Sequence, residues 1–243
     1  MAQKRLYSKN PITEALLDVQ FDSNTALDEL KNFSNQLGAE FATMRERHLV
    51  QTTFQLTEGK PVQAQNISIE GYDFWNNQKI EVIQARKNGF AFSRLKPYES
   101  WEKHHPDAIK HLKQYQNSFG ASPVKRVAVR FINLFKIPGT KVELNDYFNC
   151  APDTPTGVPA DLASFLYRVT VVCESMINAN ITIAPSNQVA TENTADFILD
   201  IDVYATYPVP ISGDLLNTFD KLHTYAENIF EAYITDATRE LIK

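Results

Sequence analysis

The chain has little glycine, little cysteine and no excess of positive charge. Its 243 residues include 8 glycines, and neither the glycine-rich phosphate or dinucleotide motifs nor H-E-x-x-H and G-x-S-x-G occur. The formal net charge is −5, which disfavours nucleic-acid binding because proteins of that kind usually carry a basic surface. We therefore expect no cofactor, and these absences favour a protein that is not an enzyme.

The chain also lacks signals for disulfides and membranes. Its two cysteines, Cys150 and Cys173, do not have the C-x-x-C spacing of zinc or redox sites, so we interpret them as free thiols in a reducing cytosol. No apolar run approaches the roughly 20 residues of a membrane-spanning helix. The first residues contain no apolar signal-peptide segment. We expect a cytoplasmic protein that does not enter a membrane.

The most informative feature that is present is a weak internal repeat. The strand pattern LLDVQF of residues 16–21 returns as RVAVRF at residues 126–131. A self-match at a long period indicates a duplicated unit. We predict two related halves that form one continuous domain: residues 1–120 with the order β-α-β4-α, and residues 121–243 with the order β-α-β3-α.

Hydrophobic periodicity predicts the main elements. Helical spacing runs from Thr25 to Met44, and each half ends in a helical stretch, Trp101–Phe119 and Leu215–Leu241. Pro106 is expected at the first helical position of its helix. Asn88-Gly89 lies between two alternating segments and predicts a hairpin in which both residues can take positive φ. The strands predicted by alternation are 15–21, 49–56, 64–69, 79–85, 89–95, 124–137, 166–173, 179–184 and 195–204.

This order of elements favours an α+β fold. Strands in series bracketed by helices predict an internally duplicated antiparallel sheet with long helices on one face, of TATA-box-binding-protein-like or helix-grip-like arrangement. Such a fold analogy carries no function by itself. Strand alternation then places apolar residues such as Leu17 and Val129 on the face that the helices cover. The polar residues that alternate with them along each strand point toward the opposite, open face of the sheet.

The predicted open face is mixed and rather acidic. Asp18, Asp200 and Asp202 lie on it and would repel phosphates, so a cation or a protein partner fits this face better than DNA. Arg130 stands in an apolar strand and is expected to pair with Asp18 on the equivalent strand. The D-x-D pattern at 200–202 is typical of metal sites and also of an ordinary polar strand face.

Two further groups of side chains could carry chemistry. His104, Asp107 and His111 have helical spacing that would suit a metal, or simply a solvated helix face, and we expect no metal there. The aromatic segment Phe90–Trp101 also contains Arg94. It could hold a base or nucleotide by stacking and charge, or it could be a packed junction between strand and helix.

Three short motifs resemble a known family. They are Asn10–Ala15, then Gly89–Leu95 followed by Pro97, Tyr98 and Trp101, and then Val129–Asn133. In this order they resemble a sporadically distributed family of uncharacterised bacterial proteins of similar length, over nearly the whole chain. The resemblance implies no reaction. The positions that match the recurring ones are Glu14, Arg94, Tyr98, Trp101, Arg130 and Asn133.

Two functions are expected from these observations. The first is a non-enzymatic protein-binding module, which the acidic charge, the missing catalytic motifs and the few glycines favour. The patchy distribution of the family implies horizontal transfer, and this suggests an accessory or neutralising component of a mobile defence or toxin–antitoxin system. The alternative is a nucleotide-binding or small-molecule-binding domain, either with or without enzymatic activity, with its ligand near Arg94–Trp101. A protein partner is expected, and the amphipathic C-terminal helix leaves a homodimer open. The candidate binding residues are Arg94, Tyr98, Trp101, Arg130, Asn133, Asp18, Asp200 and Asp202.

Overall fold

Antiparallel strands dominate the protein. The structure, a computed structural model, describes residues 7–57, 60–120, 122–150, 152, 164–186, 193–209 and 215–243. Within them the strands are β1 (Ile12–Phe21), β2 (Thr43–Thr57), β3 (Lys60–Trp75), β4 (Glu81–Arg86), β5 (Gly89–Leu95), β6 (Val124–Pro138), β7 (Tyr167–Glu174), β8 (Ile177–Pro185) and β9 (Thr194–Val209). All belong to one sheet in the order β2-β3-β4-β5-β1-β6-β9-β8-β7.

The helices are α1 (Leu27–Asn32), α2 (Ser34–Leu37), α3 (Trp101–Phe119), α4 (Leu144–Tyr147), α5 (Leu215–Tyr233) and α6 (Asp236–Ile242). The two long helices, α3 and α5, pack on the same side of the sheet. Aromatic contacts show this: Phe92 of β5 stacks on His104 of α3, and Phe135 of β6 stacks on Phe230 of α5. No helix in the described part of the chain is both long and apolar enough to cross a membrane.

The first strand of each predicted half lies at the centre of the sheet. β1 and β6 pair antiparallel, with Leu17 opposite Val129 and Asp18 opposite Ala128. β5 pairs with the other edge of β1, and β9 pairs with the other edge of β6. The predicted α+β class with a large antiparallel sheet and helices on one face is confirmed.

Strand alternation was a reliable guide to the core. The side chains predicted to face the helices are buried, and they form one apolar cluster with residues of α1, α3 and α5. The predicted inward residues in this cluster are Leu17, Val19, Phe21, Val127, Val129, Phe131, Phe197, Leu199, Ile201 and Val203.

The prediction of one helix over 25–44 is wrong. The segment forms α1, α2 and a 3-10 turn at Ala39–Phe41 instead, and β2 already begins at Thr43. Gly38 has a φ of 73°, a left-handed conformation that ends α2. Leu30 and Phe41 are nevertheless buried, so helical spacing identified the core residues but not the break between them.

The hairpin at 86–89 is confirmed, but its turn differs from the expected one. Arg86 pairs with Gly89, which leaves Lys87 and Asn88 as the loop, and none of these residues has a positive φ. A Cβ on Gly89 would lie 2.6 Å from the Val19 carbonyl oxygen. Glycine is therefore needed here for the close approach of β5 to β1 rather than for turn conformation.

The two end helices also differ in detail from the prediction. Pro106 lies in the second turn of α3, which already begins at Trp101, so its expected place at the first helical position is wrong. The predicted stretch 215–241 is interrupted after Tyr233. The Thr235 hydroxyl accepts a hydrogen bond from the Thr238 amide and caps α6.

Candidate ligand-binding cavity

A cavity of about 540 Å³ lies on the helix-bearing side of the sheet, above β6 and β9. Its walls come from three places: the segment that leads into β1, the start of α3, and the middle of α5. Both parts of the chain, 1–120 and 121–243, therefore contribute to it. The lining residues used below are Tyr7, Tyr98, Glu99, Ser100, Trp101, Glu102, Phe131, Asn133, Ile201, His223, Ala226, Glu227, Phe230 and Glu231.

One polar group of the lining residues is buried without a partner among the described residues. Tyr98 is 9% exposed, and its hydroxyl makes no hydrogen bond. Asn133 is 1% exposed, and its amide nitrogen donates to the carbonyl oxygens of Leu199 (3.0 Å) and Phe131 (3.5 Å). Buried polar groups are nearly always hydrogen-bonded, so the Tyr98 hydroxyl requires an explanation.

The segment before β1 is tied to the cavity by polar contacts. The Tyr7 hydroxyl donates to Glu231 Oε1 at 2.6 Å, and Arg239 of α6 donates to Glu231 Oε2 at 3.1 Å. Asn10 Oδ1 accepts from the Ile12 amide at 2.9 Å and holds the turn into β1. The beginning of the Asn10–Ala15 motif thus forms one wall of the cavity.

Trp101 stacks on two histidine rings. The distance between ring centroids is 4.8 Å to His105 and 4.2 Å to His223 of α5, and both rings are nearly parallel to the indole. The indole Nε1 donates to Asp220 Oδ1 at 2.8 Å. This stack joins the start of α3 to α5 and fixes the position of the indole at the cavity.

Beneath the cavity wall His104 is 1% exposed, and neither ring nitrogen has a hydrogen-bond partner among the described residues. Burial, together with the positive charges of Arg94 and of the neighbouring His105 and His223, lowers the pKa of His104 from 6.5 to about 3. The ring is thus neutral in the folded protein at any ordinary pH.

We expect acid to destabilise the protein through His104. The unfolded chain binds a proton near pH 6.5 while the folded chain does not, so the free energy of unfolding decreases as the pH falls from there toward 3, by up to about 1.4 kcal/mol per pH unit. Urea unfolding at a series of pH values measures this slope. His104→Phe, which keeps a ring against Phe92, should have a shallower slope than the wild type; an equal slope would contradict the assignment.

Arg94 does not line the cavity. It pairs with Glu81 of β4 and donates to Asp107 Oδ2 of α3 at 2.9 Å, so it joins the sheet to the helix. Of the predicted binding residues, the structure brings Tyr98, Trp101 and Asn133 together at the cavity. The expectation that Arg94 belongs to the same site is not met.

The other four predicted residues lie on the opposite, open face. Arg130 pairs with Asp200, with Nε–Oδ1 at 2.8 Å and Nη2–Oδ2 at 2.6 Å, so the expected pair with Asp18 is wrong. Asp18 is 4% exposed and accepts from Arg86 and from Arg126 Nη1 (3.1 Å).

The same Arg126 holds Asp202 at 2.8–2.9 Å. The D-x-D carboxylates are thus each neutralised by an arginine rather than gathered at one point. Across the described residues, no group of three or more His, Cys, Asp or Glu side chains is arranged to hold a metal ion, and this includes the cluster around His104.

Several cavity residues were not singled out from the sequence. Tyr7 and Glu231 reach the cavity from opposite ends of the chain, and their hydrogen bond spans 224 positions. No local pattern marks such a contact. His223 is an isolated histidine in the sequence, and its stacking on Trp101 likewise depends on how α5 packs against α3.

Comparison with known proteins identifies no family. No family model matches the chain, and no curated protein matches it. Four chains of solved structures match. One, described as "KH domains", is 7% identical and superposes with a TM-score of 0.21; the match covers 94% of this chain and 64% of that one. A superposition this poor says nothing about fold or function.

Proposed function

We propose that this protein binds a small organic molecule in the cavity above β6 and β9, and we assign no reaction to it. The observation that carries the proposal is a largely apolar cavity, and one of its lining residues, Tyr98, has a buried hydroxyl without a hydrogen-bond partner among the described residues. Its volume of about 540 Å³ is within the range of sites that hold drug-sized ligands.

The family resemblance supports the same place. Tyr98, Trp101 and Asn133 match recurring positions of that family; the first two belong to one motif and Asn133 to another, and both motifs contribute to this cavity. Four carboxylates line the cavity, and no lysine or arginine is among its described lining residues. The described lining thus offers a phosphate group no lysine or arginine side chain, so we do not propose a nucleotide as the ligand.

A neutral apolar probe tests the proposal. N-phenyl-1-naphthylamine fluoresces on entering an apolar cavity and accepts energy from tryptophan. We expect saturable binding at one site per chain and quenching of Trp101. The Trp75→Phe variant keeps Trp101 as its one tryptophan. Trp75 itself lies on the open face, away from the cavity, because its neighbour Phe74 packs under the helices. Non-saturable binding, or no quenching in that variant, would overturn the proposal.

We also propose that the two halves are copies of one unit, in a TATA-box-binding-protein-like or helix-grip-like arrangement. The sheet order supports this, because the first strands, β1 and β6, pair at the centre and each is flanked by the last strand of its own half. The open face opposite the cavity carries paired charges rather than a basic surface. We accordingly propose no nucleic-acid binding for it.

A second candidate function is binding to another protein, and one feature favours it. β4 pairs with β3 over Gly71–Trp75, so the remainder of the β2–β3 pair continues as a two-stranded ribbon with Val50 and Ile67 exposed opposite each other. A lone ribbon is marginally stable, and exposed apolar side chains mark contact surfaces. We keep a role as an accessory or neutralising protein of a mobile defence or toxin–antitoxin system as this second proposal. A stoichiometric partner that is lost from the Val50→Ser/Ile67→Ser variant would support it.

A further inference from the structure

We infer that the cavity selects a planar aromatic ligand, and this inference rests on the proposed binding function. Five of the 19 described lining residues are phenylalanine, tyrosine or tryptophan, whereas these residue types make up 11% of the chain. The larger aliphatic side chains in the same part of the lining are only those of Ile12 and Ile201. With the imidazole of His223 the lining contains six rings, and they are Tyr7, Tyr98, Trp101, Phe131, His223 and Phe230.

Four of these rings form one continuous group at the end of the cavity nearest α3. The ring centroid of Phe131 on β6 lies 6.1 Å from that of Tyr98 and 6.5 Å from that of Trp101. It lies 5.7 Å from the imidazole centroid of His223, which in turn stacks on Trp101. Because each ring is packed against others of the group, this wall is already in place before a ligand binds.

The other two rings form a second group farther along α5. Phe230 contacts Tyr7 in an edge-on arrangement, with 6.1 Å between ring centroids, and both residues are only partly buried. Positions 223, 226 and 230 fall on one face of a helix, so Ala226 separates the ring of His223 from that of Phe230. Its methyl side chain leaves space between the two groups of rings. A flat ligand placed over Ala226 would therefore contact rings at both of its ends.

A lining of this kind favours an aromatic ligand over an aliphatic one of similar size. The face of an aromatic ring is electronegative and its edge is electropositive, so offset-stacked and edge-to-face pairs gain stabilisation beyond the area that they bury. An aliphatic ligand gains the hydrophobic contribution alone. The ligand must also fit between Ile201 on the sheet and Ala226 on α5, and a planar ring system is thinner than its saturated counterpart.

Two alcohols with the same carbon skeleton test this preference: 1-naphthalenemethanol and its fully hydrogenated analogue, decahydro-1-naphthalenemethanol. Both are neutral. The hydrogenated compound has the larger apolar surface, so the hydrophobic effect alone would favour it. We expect calorimetry to show that the aromatic alcohol binds at least about fivefold more tightly. This comparison uses the wild-type protein and depends on no variant.

The variant Phe230→Leu locates the effect. It keeps an apolar side chain at the cavity and removes the ring, so we expect the aromatic alcohol to bind about threefold more weakly and the hydrogenated one to stay within about twofold of wild type. Phe119→Leu is the matched control. Phe119 is also a partly buried phenylalanine on a long helix, but it packs on Phe33 and Tyr115 and does not line the cavity. Thermal unfolding of both variants checks that they are folded.

The possible outcomes separate this inference from the proposed function. Equal or tighter binding of the hydrogenated alcohol would overturn the aromatic preference, and so would an aromatic alcohol that fails to displace N-phenyl-1-naphthylamine. Equal weakening of the aromatic alcohol by Phe230→Leu and Phe119→Leu would contradict it as well. The proposed function survives each of these results as long as N-phenyl-1-naphthylamine binds saturably, whereas its failure to bind would remove the proposed function.

Discussion

Replacing Asp18 by alanine should lower the free energy of unfolding by about 3–5 kcal/mol. Asp18 is 4% exposed and is the shared acceptor of two arginines, Arg86 and Arg126. Removing it leaves both guanidinium groups without this counter-charge, and the Arg86 side chain is itself only 11% exposed. The penalty comes from the uncompensated buried charge rather than from the lost attraction alone.

Asp200→Ala is the matched control. Its partner Arg130 is 44% exposed on the side chain, so water can replace the lost carboxylate, and we expect a cost of about 1 kcal/mol or less. Urea unfolding of both variants measures the difference. Equal losses for Asp18→Ala and Asp200→Ala would contradict the role assigned to Asp18.

Asp18 also belongs to a hydrogen-bonded chain that crosses the open face. From Asp18 on β1 it runs through Arg126 on β6 to Asp202 on β9, and Asn180 Nδ2 on β8 donates to Asp202 at 3.2 Å. The Arg126 guanidinium also lies 4.6 Å above the ring of Tyr204. Each member is satisfied by its neighbours, so the removal of one affects the others.

Replacing Ala226 by phenylalanine should weaken binding of N-phenyl-1-naphthylamine by more than about 100-fold, because a ring at this position occupies the space of the ligand. Ala226 is on α5, is buried, and lines the cavity. The variant is informative only when it is folded, since an added ring in a packed site can cost about 1–3 kcal/mol. Thermal unfolding is therefore measured alongside binding.

Two more variants make this prediction specific. Ala232→Phe makes the same change at an exposed position on the same helix and should bind the probe normally. Ser100→Trp blocks the cavity from the other side, and the Ser100 side chain makes no capping bond to α3 that would be lost. Normal binding by folded Ala226→Phe and Ser100→Trp would place the probe outside the cavity.

Strand alternation predicted much of the fold because it is a local property. Leu17, Val19 and Phe21 are inward in the sequence pattern and buried in the structure. The partner of Arg130 was not predictable in this way, because it depends on register. On β1 the residue opposite Arg130 is Leu16, so Asp18 lies nearer to Arg126. On β9 the residue opposite Arg130 is Asp202, yet Arg130 pairs diagonally with Asp200. A sequence does not show which strands become neighbours or how they are aligned.

The cavity was predictable only in part, for the same reason. Tyr98 and Trp101 stand in an aromatic segment that the sequence marks clearly. Its other walls depend on how α5 and the segment around Tyr7 pack, which no local pattern indicates. Arg94 was predicted as a binding residue because it stands in the same segment as Tyr98 and Trp101. Its side chain instead donates a hydrogen bond to Asp107 of α3.

The central claim is that the cavity holds a small molecule. The most direct test is native mass spectrometry of the protein isolated at its natural level from its own host, beside the Ala226→Phe variant produced in the same way. We predict one small-molecule adduct per wild-type chain, released on denaturation and absent from the variant. A wild-type chain that carries a stoichiometric protein partner and no small-molecule adduct would contradict the account and favour the protein-binding alternative.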